Sequence, residues 1–351
     1  KFITKNSLMI KFLFFFLFHF IVNKFFLKIN FLVDKKETSE HKKKIITDTK
    51  TPLTGGFTFI VFFSFISIEH HYSFLIAIIL LYAVGLMSDL NLLTSPIKRI
   101  IFQSCLILSF IIINDLSVKN LSLEILNELL NYKLFNIFFL LVCLLVLVNG
   151  FNFLDGINTL VISNFIICLF CIYYISNKYQ LSLDFILVQN LLIILSVIFI
   201  FNFFGKSFLG DSGTYSISFV VGIVCINFAY NNYLIVSPYF IACLLWYPAI
   251  ENLFSILRRF FFKKKLSKAD NNHLHHFLYL AIKKNNFIKN NLFLNTFTGI
   301  IINSYIFLSV FIATFYYDHT KTLLTIILFN VFIYFSLYYY LFRALDLKKK
   351  I

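Results

Sequence analysis

Residues 134–158 read LFNIFFLLVCLLVLVNGFNFLDGIN. The run up to Val148 carries no charge, whereas Asn149 to Asn158 hold three asparagines, an aspartate and two glycines. The chain then turns apolar again in TLVISNFIICLFCIYYI at 159–175. An uncharged run close to 20 residues long reads as a span through hydrocarbon, and the polar stretch marks where the chain leaves the lipid and turns back. Composition extends this to the whole chain: 60% of the 351 residues are hydrophobic and only 13% are charged, with a mean hydropathy of +0.85. Soluble domains carry about 25% charge. In hydrocarbon every backbone polar group needs a partner within the protein, which leaves helices or closed barrels. The unbroken apolar runs lack the alternation of a membrane barrel. The expected fold is therefore an all-α, polytopic integral membrane protein.

Apolar runs predict about eleven spans, near 9–33, 54–68, 72–87, 100–114, 134–150, 157–175, 184–204, 214–229, 233–254, 292–316 and 322–342. The first contains Lys11, Lys24 and Lys28, which snorkel if they lie near helix ends. It resembles a signal anchor more than a cleaved signal peptide, because no small-residue cleavage site follows. With the amino terminus outside and the carboxyl terminus cytoplasmic, the inner segments hold 22 Lys and Arg and the outer ones 6, the asymmetry expected of membrane topology. The net charge of +15 then faces an anionic leaflet and calls for no nucleic-acid partner. The cysteines Cys105, Cys143, Cys168, Cys171, Cys225 and Cys243 all fall in apolar runs and read as packing residues.

On this topology the unusual polar chemistry gathers on the inner side. TKTPLTGG (49–56), GLMSDL (85–90), NGFNFLDGIN (149–158), FFGKSFLGDSGTYS (203–216) and the basic stretch 258–276 ending in HLHH all reach the cytoplasmic face. Asp89, Asp155 and Asp211 each stand at a span boundary on that side, where an ionisable residue is costly and is by default a functional candidate. Asp211 before SGTYS is also placed where a helix N-cap belongs. The glycines of FLGDSG suit either a turn or the approach of backbone N–H groups to a phosphate at a helix start. His273, His275 and His276 lack the HExxH or Cys-paired spacing of a zinc site; beside Arg258, Arg259 and Lys268 they form a cationic corner suited to phosphate. Three acids, a glycine turn and a basic loop at a membrane surface point to Mg²⁺ and a diphosphate, since magnesium takes one or two carboxylates plus phosphate oxygens. A lipid phosphate is the acceptor that a membrane enzyme would need to reach.

In order, from about Asp34 to His276, these segments resemble the polyprenyl-phosphate N-acetylhexosamine-1-phosphate transferases, or glycosyltransferase family 4. That family includes the phospho-N-acetylmuramoyl-pentapeptide translocase of peptidoglycan synthesis and the transferases that initiate O-antigen and related glycans. TPLTGG resembles its Thr-Pro and Gly-Gly element, NGFNFLDGIN its Asn-rich Asp-Gly motif, FLGDSGT its Gly-Asp-x-Gly-Ser motif and HLHH its His-x-His-His motif, while YPAIENLFSILRR looks like the helix leading into the basic loop. The resemblance implies one transmembrane transferase domain over 1–351 in a bacterial inner membrane, with active-site loops near 34–56, 85–99, 149–159, 203–216 and 255–290. It implies transfer of an aminosugar phosphate from a UDP-sugar to undecaprenyl phosphate with release of UMP. Asp211 would hold Mg²⁺, with Mn²⁺ as an alternative. Asp89 and Asp155 would be the catalytic acids, Asp89 orienting or deprotonating the lipid phosphate. Asn152 would sit with Asp155 beside the diphosphate, and Gly156, Asn158 and Phe208 would shape the uracil pocket. Thr51, Asn149, Lys206, Arg258, Arg259, His273, His275 and His276 complete the substrate-binding set. The oligomeric state is left open, a dimer included.

The chain departs from the pattern at four points. Ser88–Asp89 stands where the family usually has two adjacent acids, Asn158 where many members have Asp, Thr159 where they have Gly, and Thr214 where Ser is usual. HLHH looks more like the surface-polysaccharide branch than the peptidoglycan branch, whose members usually carry three consecutive His. Two alternatives are a peptidoglycan-type donor and a non-catalytic transporter or scaffold, although transporters usually place polar residues at the bilayer midplane.

Overall fold

The computed structural model describes residues 2–34, 50–67, 72–261, 272–286 and 288–345. Lys263, Lys264, Lys265 and Lys268 of the basic stretch, residues 35–49 of the first loop, and His70 and His71 lie outside the described residues. The described chain is almost wholly helical: α1 (Phe2–Ile29), α2 (Gly55–Ser67), α3 (Tyr72–Asp89), α4 (Pro96–Ile113), α5 (Glu124–Leu130), α6 (Lys133–Leu154), α7 (Leu160–Tyr179), α8 (Phe185–Phe203), α9 (Gly210–Asn231), α10 (Pro238–Leu244), α11 (Trp246–Phe261), α12 (Leu274–Lys284), α13 (Asn291–Thr314) and α14 (Thr320–Ala344). The exception is a pair of two-residue antiparallel strands, β1 (Val33–Asp34) and β2 (Thr51–Pro52), which join Val33 to Pro52 and Asp34 to Thr51. The protein is an all-α, multi-pass membrane protein.

Among the described residues nine helices are long and apolar enough to cross a membrane, or ten if one bent pair is a single span. Two of the eleven expected spans differ from a simple crossing. The run at 54–68 gives α2, which is only 13 residues long, about 20 Å at 1.5 Å per residue and short of a ~30 Å hydrocarbon core. The run at 233–254 is broken, because α10 and α11 meet at 75°. The break has a local cause. Pro248 lacks the N–H that would reach back to Leu244, and its ring crowds that carbonyl, so α10 ends at Leu244 and α11 restarts at Trp246. Elsewhere helix starts follow ordinary capping: the side chains of Ser95, Asp184, Ser237 and Asn290 accept backbone N–H bonds at the starts of α4, α8, α10 and α13.

Burial ranks the helices. Within its span α9 is 83% buried, against 22% for α4 and α14, so α9 is the centre of the bundle and the others wrap it. Outer helices turn large apolar groups outward, such as Leu13 and Phe14 on α1 and Phe329 and Phe332 on α14, an arrangement that lipid accepts and water would not. Helices approach α9 closely at glycines: a Cβ on Gly56 of α2 would lie 2.6 Å from Gly213 N, and one on Gly85 of α3 would run into the backbone of Ser212. Side chains larger than hydrogen would push these helices apart, as in other tight membrane packings built on small residues.

α1 is tied on by polar contacts. Lys11 Nζ donates to Asn190 Oδ1 of α8 at 3.1 Å, His19 Nδ1 lies 2.6 Å from Thr58 Oγ1 of α2, and Asn23 Nδ2 donates to the Lys206 carbonyl at 2.8 Å. Lys11 thus has a protein partner for the charge that lipid would not solvate. All six cysteines are free; Cys168, Cys171, Cys225 and Cys243 are buried, with Cys168 Sγ 3.6 Å from Cys225 Sγ, whereas Cys105 and Cys143 are exposed and do not pack in the core as expected.

Candidate active site

The centre of the polar cluster is the first turn of α9. Gly210 enters it at φ +72°, a left-handed conformation in which side chains are strained, and a Cβ there would also lie 2.7 Å from Asp89 Oδ2. That closeness lets Asp89, at the end of α3, accept the backbone N–H of Asp211 at 2.8 Å and of Ser212 at 3.0 Å. Helix starts leave such N–H groups without partners, and the helix dipole favours a carboxylate beside them. Asp89 therefore caps α9 from a neighbouring helix. The sequence also allowed Asp211 to be the cap; Leu209 is at that position and makes no side-chain bond, while Asp211 lies within the first turn.

Freed from capping, the Asp211 carboxylate gathers three helices. Its Oδ2 accepts from Arg99 Nη1 of α4 at 2.7 Å and from the Ser88 hydroxyl of α3 at 2.6 Å, and its Oδ1 accepts from Asn152 Nδ2 of α6 at 2.7 Å. Arg99 Nη1 also donates to Ser88 Oγ at 2.8 Å, and Asn152 reaches Thr214 Oγ1 at 3.2 Å. Ser88 is thus a hydroxyl bridge between Arg99 and Asp211. The Arg99–Asp211 pair is about a quarter exposed, which leaves it open to a ligand.

Beyond Asn152 the end of α6 meets the histidines. The Phe153 ring lies 5.5 Å from that of His273, Arg259 sits 5.6 Å over Phe153, and a Cβ on Gly156 would be 3.3 Å from His276 Nε2. Asp155 closes α6 as its C-cap residue, one residue before Gly156. Below the histidines lies Glu251 of α11, fully buried. Its carboxylate accepts from His273 Nδ1 at 2.9 Å and from Leu274 N at 3.1 Å, with Tyr247 Oη at 3.4 Å. His275 stacks on His273 at 5.3 Å and has no hydrogen bond to either ring nitrogen. Burial pushes the His275 imidazole below its ordinary range and keeps it neutral.

The remaining expected residues are held by other contacts. Thr51, fully buried, donates to the Gly205 carbonyl at 2.9 Å, and Phe208 N donates to the Pro52 carbonyl at 3.0 Å, so TPLTGG is stitched to the 205–209 turn. Phe208 packs against the Val22, Phe26, Leu32 and Leu53 cluster. Asn158 is turned to α13: its N–H reaches Asn295 Oδ1 at 2.6 Å and its Nδ2 reaches Thr296 Oγ1 at 3.2 Å. Asn149 donates to Gln103 Oε1 of α4 at 3.0 Å. Lys206 faces α1. Arg258 spans to α14, donating to Tyr338 Oη at 2.8 Å and to the Asn272 carbonyl at 2.6 Å. Asp89, Asn152 and Asp211 are therefore joined directly, and Asp155, Gly156, Arg259 and the histidines adjoin them through the end of α6.

Residues 71–229 match the model of glycosyl transferase family 4. The match begins at α3 and runs almost to the end of α9, so it spans Asp89, Arg99, Asn152, Asp155 and Asp211, while TPLTGG and HLHH lie outside it. It supports the resemblance at the family level, with the branch not distinguished. No curated protein matches the chain.

Two residues of this centre lie outside the expected site residues. Arg99 adds to the topology asymmetry, and its spacing from Gln103 also puts both on one face of α4. Glu251 carried a plainer signal, since a single acid in the apolar run IACLLWYPAIENLF is costly unless it is partnered. As to a metal, among the described residues no group of three or more His, Cys, Asp or Glu side chains is arranged to hold one. The donor chemistry nevertheless fits Mg²⁺: a carboxylate offers about four lone-pair sites, three protein donors occupy Asp211, and magnesium draws its other ligands from water and phosphate.

Proposed function

We propose that the protein transfers an N-acetylhexosamine-1-phosphate, or a related aminosugar phosphate, from a UDP-sugar to polyprenyl phosphate at the cytoplasmic face of a bacterial inner membrane. A lipid phosphate oxygen forms a bond to the sugar-bearing phosphorus, the bridging P–O bond of the UDP-sugar breaks, and UMP leaves with that oxygen. The observation that carries this reading is the convergence of Ser88, Asp89, Arg99, Asn152 and Asp211 from four helices on one turn, beside a buried Glu–His cluster. Bound Mg²⁺, held by Asp211, would neutralise charge on the diphosphate. Arg99 and Ser88 fix Asp211 and limit its rotation, and Asn152 locks its other oxygen. Asp89 acts by positioning: both of its oxygens are engaged by α9, and no base is required, since a phosphomonoester with a second pKa of about 6 is already mostly dianionic at neutral pH. Glu251 orients His273, and Arg259 with His273 and His276 forms the wall for the phosphates, His275 stacking behind them as a neutral ring. HLHH favours a surface-polysaccharide donor such as a UDP-N-acetylglucosamine or a deoxy-aminosugar nucleotide. Membranes bearing the protein, incubated with undecaprenyl phosphate, Mg²⁺ and candidate UDP-sugars, should release UMP; release only with the muramoyl-pentapeptide donor would overturn the branch assignment.

A further inference from the structure

A cavity of about 340 Å³ lies to one side of the cluster, where α1, α8 and the first turn of α13 meet. Small-molecule sites span roughly 300–1,000 Å³. Three lysines from separate stretches line it: Lys24 on α1, Lys50 ahead of β2 and Lys206 in the turn after α8. None of them makes an ion pair with a described carboxylate. The rest of the wall is apolar, with Phe20, Leu27, Phe201, Phe204 and Leu292, and α1 turns Phe20, Ile21 and Phe25 outward beside it. A basic pocket at the end of a membrane helix that opens among exposed apolar groups is built for an anionic headgroup whose chains stay in lipid.

Asn23 narrows the chemistry. It lines the cavity at 5% exposure and donates Nδ2 to the Lys206 carbonyl, which can only accept. That bond fixes the amide orientation, and Oδ1 is left buried without a partner. A buried acceptor in this state is costly until a donor arrives. We infer that the cavity holds an anionic phospholipid headgroup, its phosphodiester on Lys24, Lys50 and Lys206 and a free headgroup hydroxyl donated to Asn23 Oδ1, as in phosphatidylglycerol. A polyprenyl phosphate dianion has no such hydroxyl and would leave Oδ1 unsatisfied. The site is separate from the proposed transfer chemistry, and its occupancy is read without turnover.

The test is native mass spectrometry of the purified full-length protein titrated with phosphatidylglycerol, phosphatidylcholine or undecaprenyl phosphate. Phosphatidylglycerol adducts should dominate, and should fall about fivefold for each lysine lost, from the ~1 kcal/mol that a lysine contributes near anionic lipid. The variants are Lys24→Glu alone, which changes an exposed side chain and does not threaten folding, and the Lys24→Gln/Lys206→Gln pair. Equal adducts with phosphatidylcholine, or adducts unchanged in both variants, would overturn the inference. So would preferential undecaprenyl phosphate binding that those variants abolish, since the cavity would then belong to the carrier.

Discussion

Replacing Asp89 separates a positioning carboxylate from one that moves a proton. Asp89 accepts two backbone N–H groups at the start of α9, at 2.8 and 3.0 Å. Asp89→Ala removes both acceptors; losing a helix cap costs about 0.5–2 kcal/mol, and each donor left unsatisfied costs about 1–3 kcal/mol. The expected loss is therefore about 2–4 kcal/mol of local stability at the turn that carries Asp211. Asp89→Asn keeps one acceptor oxygen and loses one charge-assisted bond, about 1.5 kcal/mol, or roughly tenfold in the population of the ordered turn. If Asp89 positions Asp211, UMP release should fall roughly tenfold in Asp89→Asn and by a further order of magnitude or more in Asp89→Ala, with thermal midpoints in detergent falling in the same order. Equal inactivity of both variants at wild-type thermal midpoints would refute the capping account and return Asp89 to proton transfer.

Three further outcomes follow from the same contacts. Arg99→Gln leaves Asp211 Oδ2 with Ser88 alone; because the pair is about a quarter exposed, stability should change by less than about 1 kcal/mol, while UMP release should drop at least about tenfold, as read by thermal midpoint and turnover on one preparation. Glu251→Ala strips a fully buried acceptor from His273 and Leu274 and should cost about 3–5 kcal/mol; Glu251→Gln, which keeps one acceptor, should lose less than half as much of the midpoint shift. The His275 imidazole is pushed down by burial, so the unfolded chain binds a proton that the folded chain refuses below about pH 6.5. Stability should be flat above that pH and fall below it by up to about 1.4 kcal/mol per pH unit, a slope that His275→Phe should reduce.

The helical, multi-pass nature of the fold was legible because lipid imposes one demand, that long apolar runs satisfy their own backbone; the number of simple crossings was not. What the runs concealed was interruption: 233–254 looks continuous in hydropathy, yet Pro248 breaks it, a signal present in the sequence but outweighed by the flanking apolar residues. The polar motifs showed which segments would meet, and Asp89, Asn152 and Asp211 do meet. Their bonding was not legible, because Asp89 reaches α9 across 122 positions of sequence. A separation of 112 positions likewise hid Arg99, which joins Asp211 only once α4 packs beside α3. Asn158 shows the converse case: its partners Asn295 and Thr296 belong to α13, a stretch in which no motif was visible.

The central claim is that a sugar phosphate, and not a sugar alone, passes to the lipid. Purified protein given a UDP-N-acetylhexosamine labelled with ³²P at the sugar-bearing phosphorus, together with undecaprenyl phosphate and Mg²⁺, should move the label into the organic-extractable lipid, and a donor labelled at the uridine-bearing phosphorus should leave it in aqueous UMP. Sugar transfer with the first label remaining in aqueous UDP, or no transfer from any UDP-aminosugar by protein that is folded and monodisperse, would contradict the account.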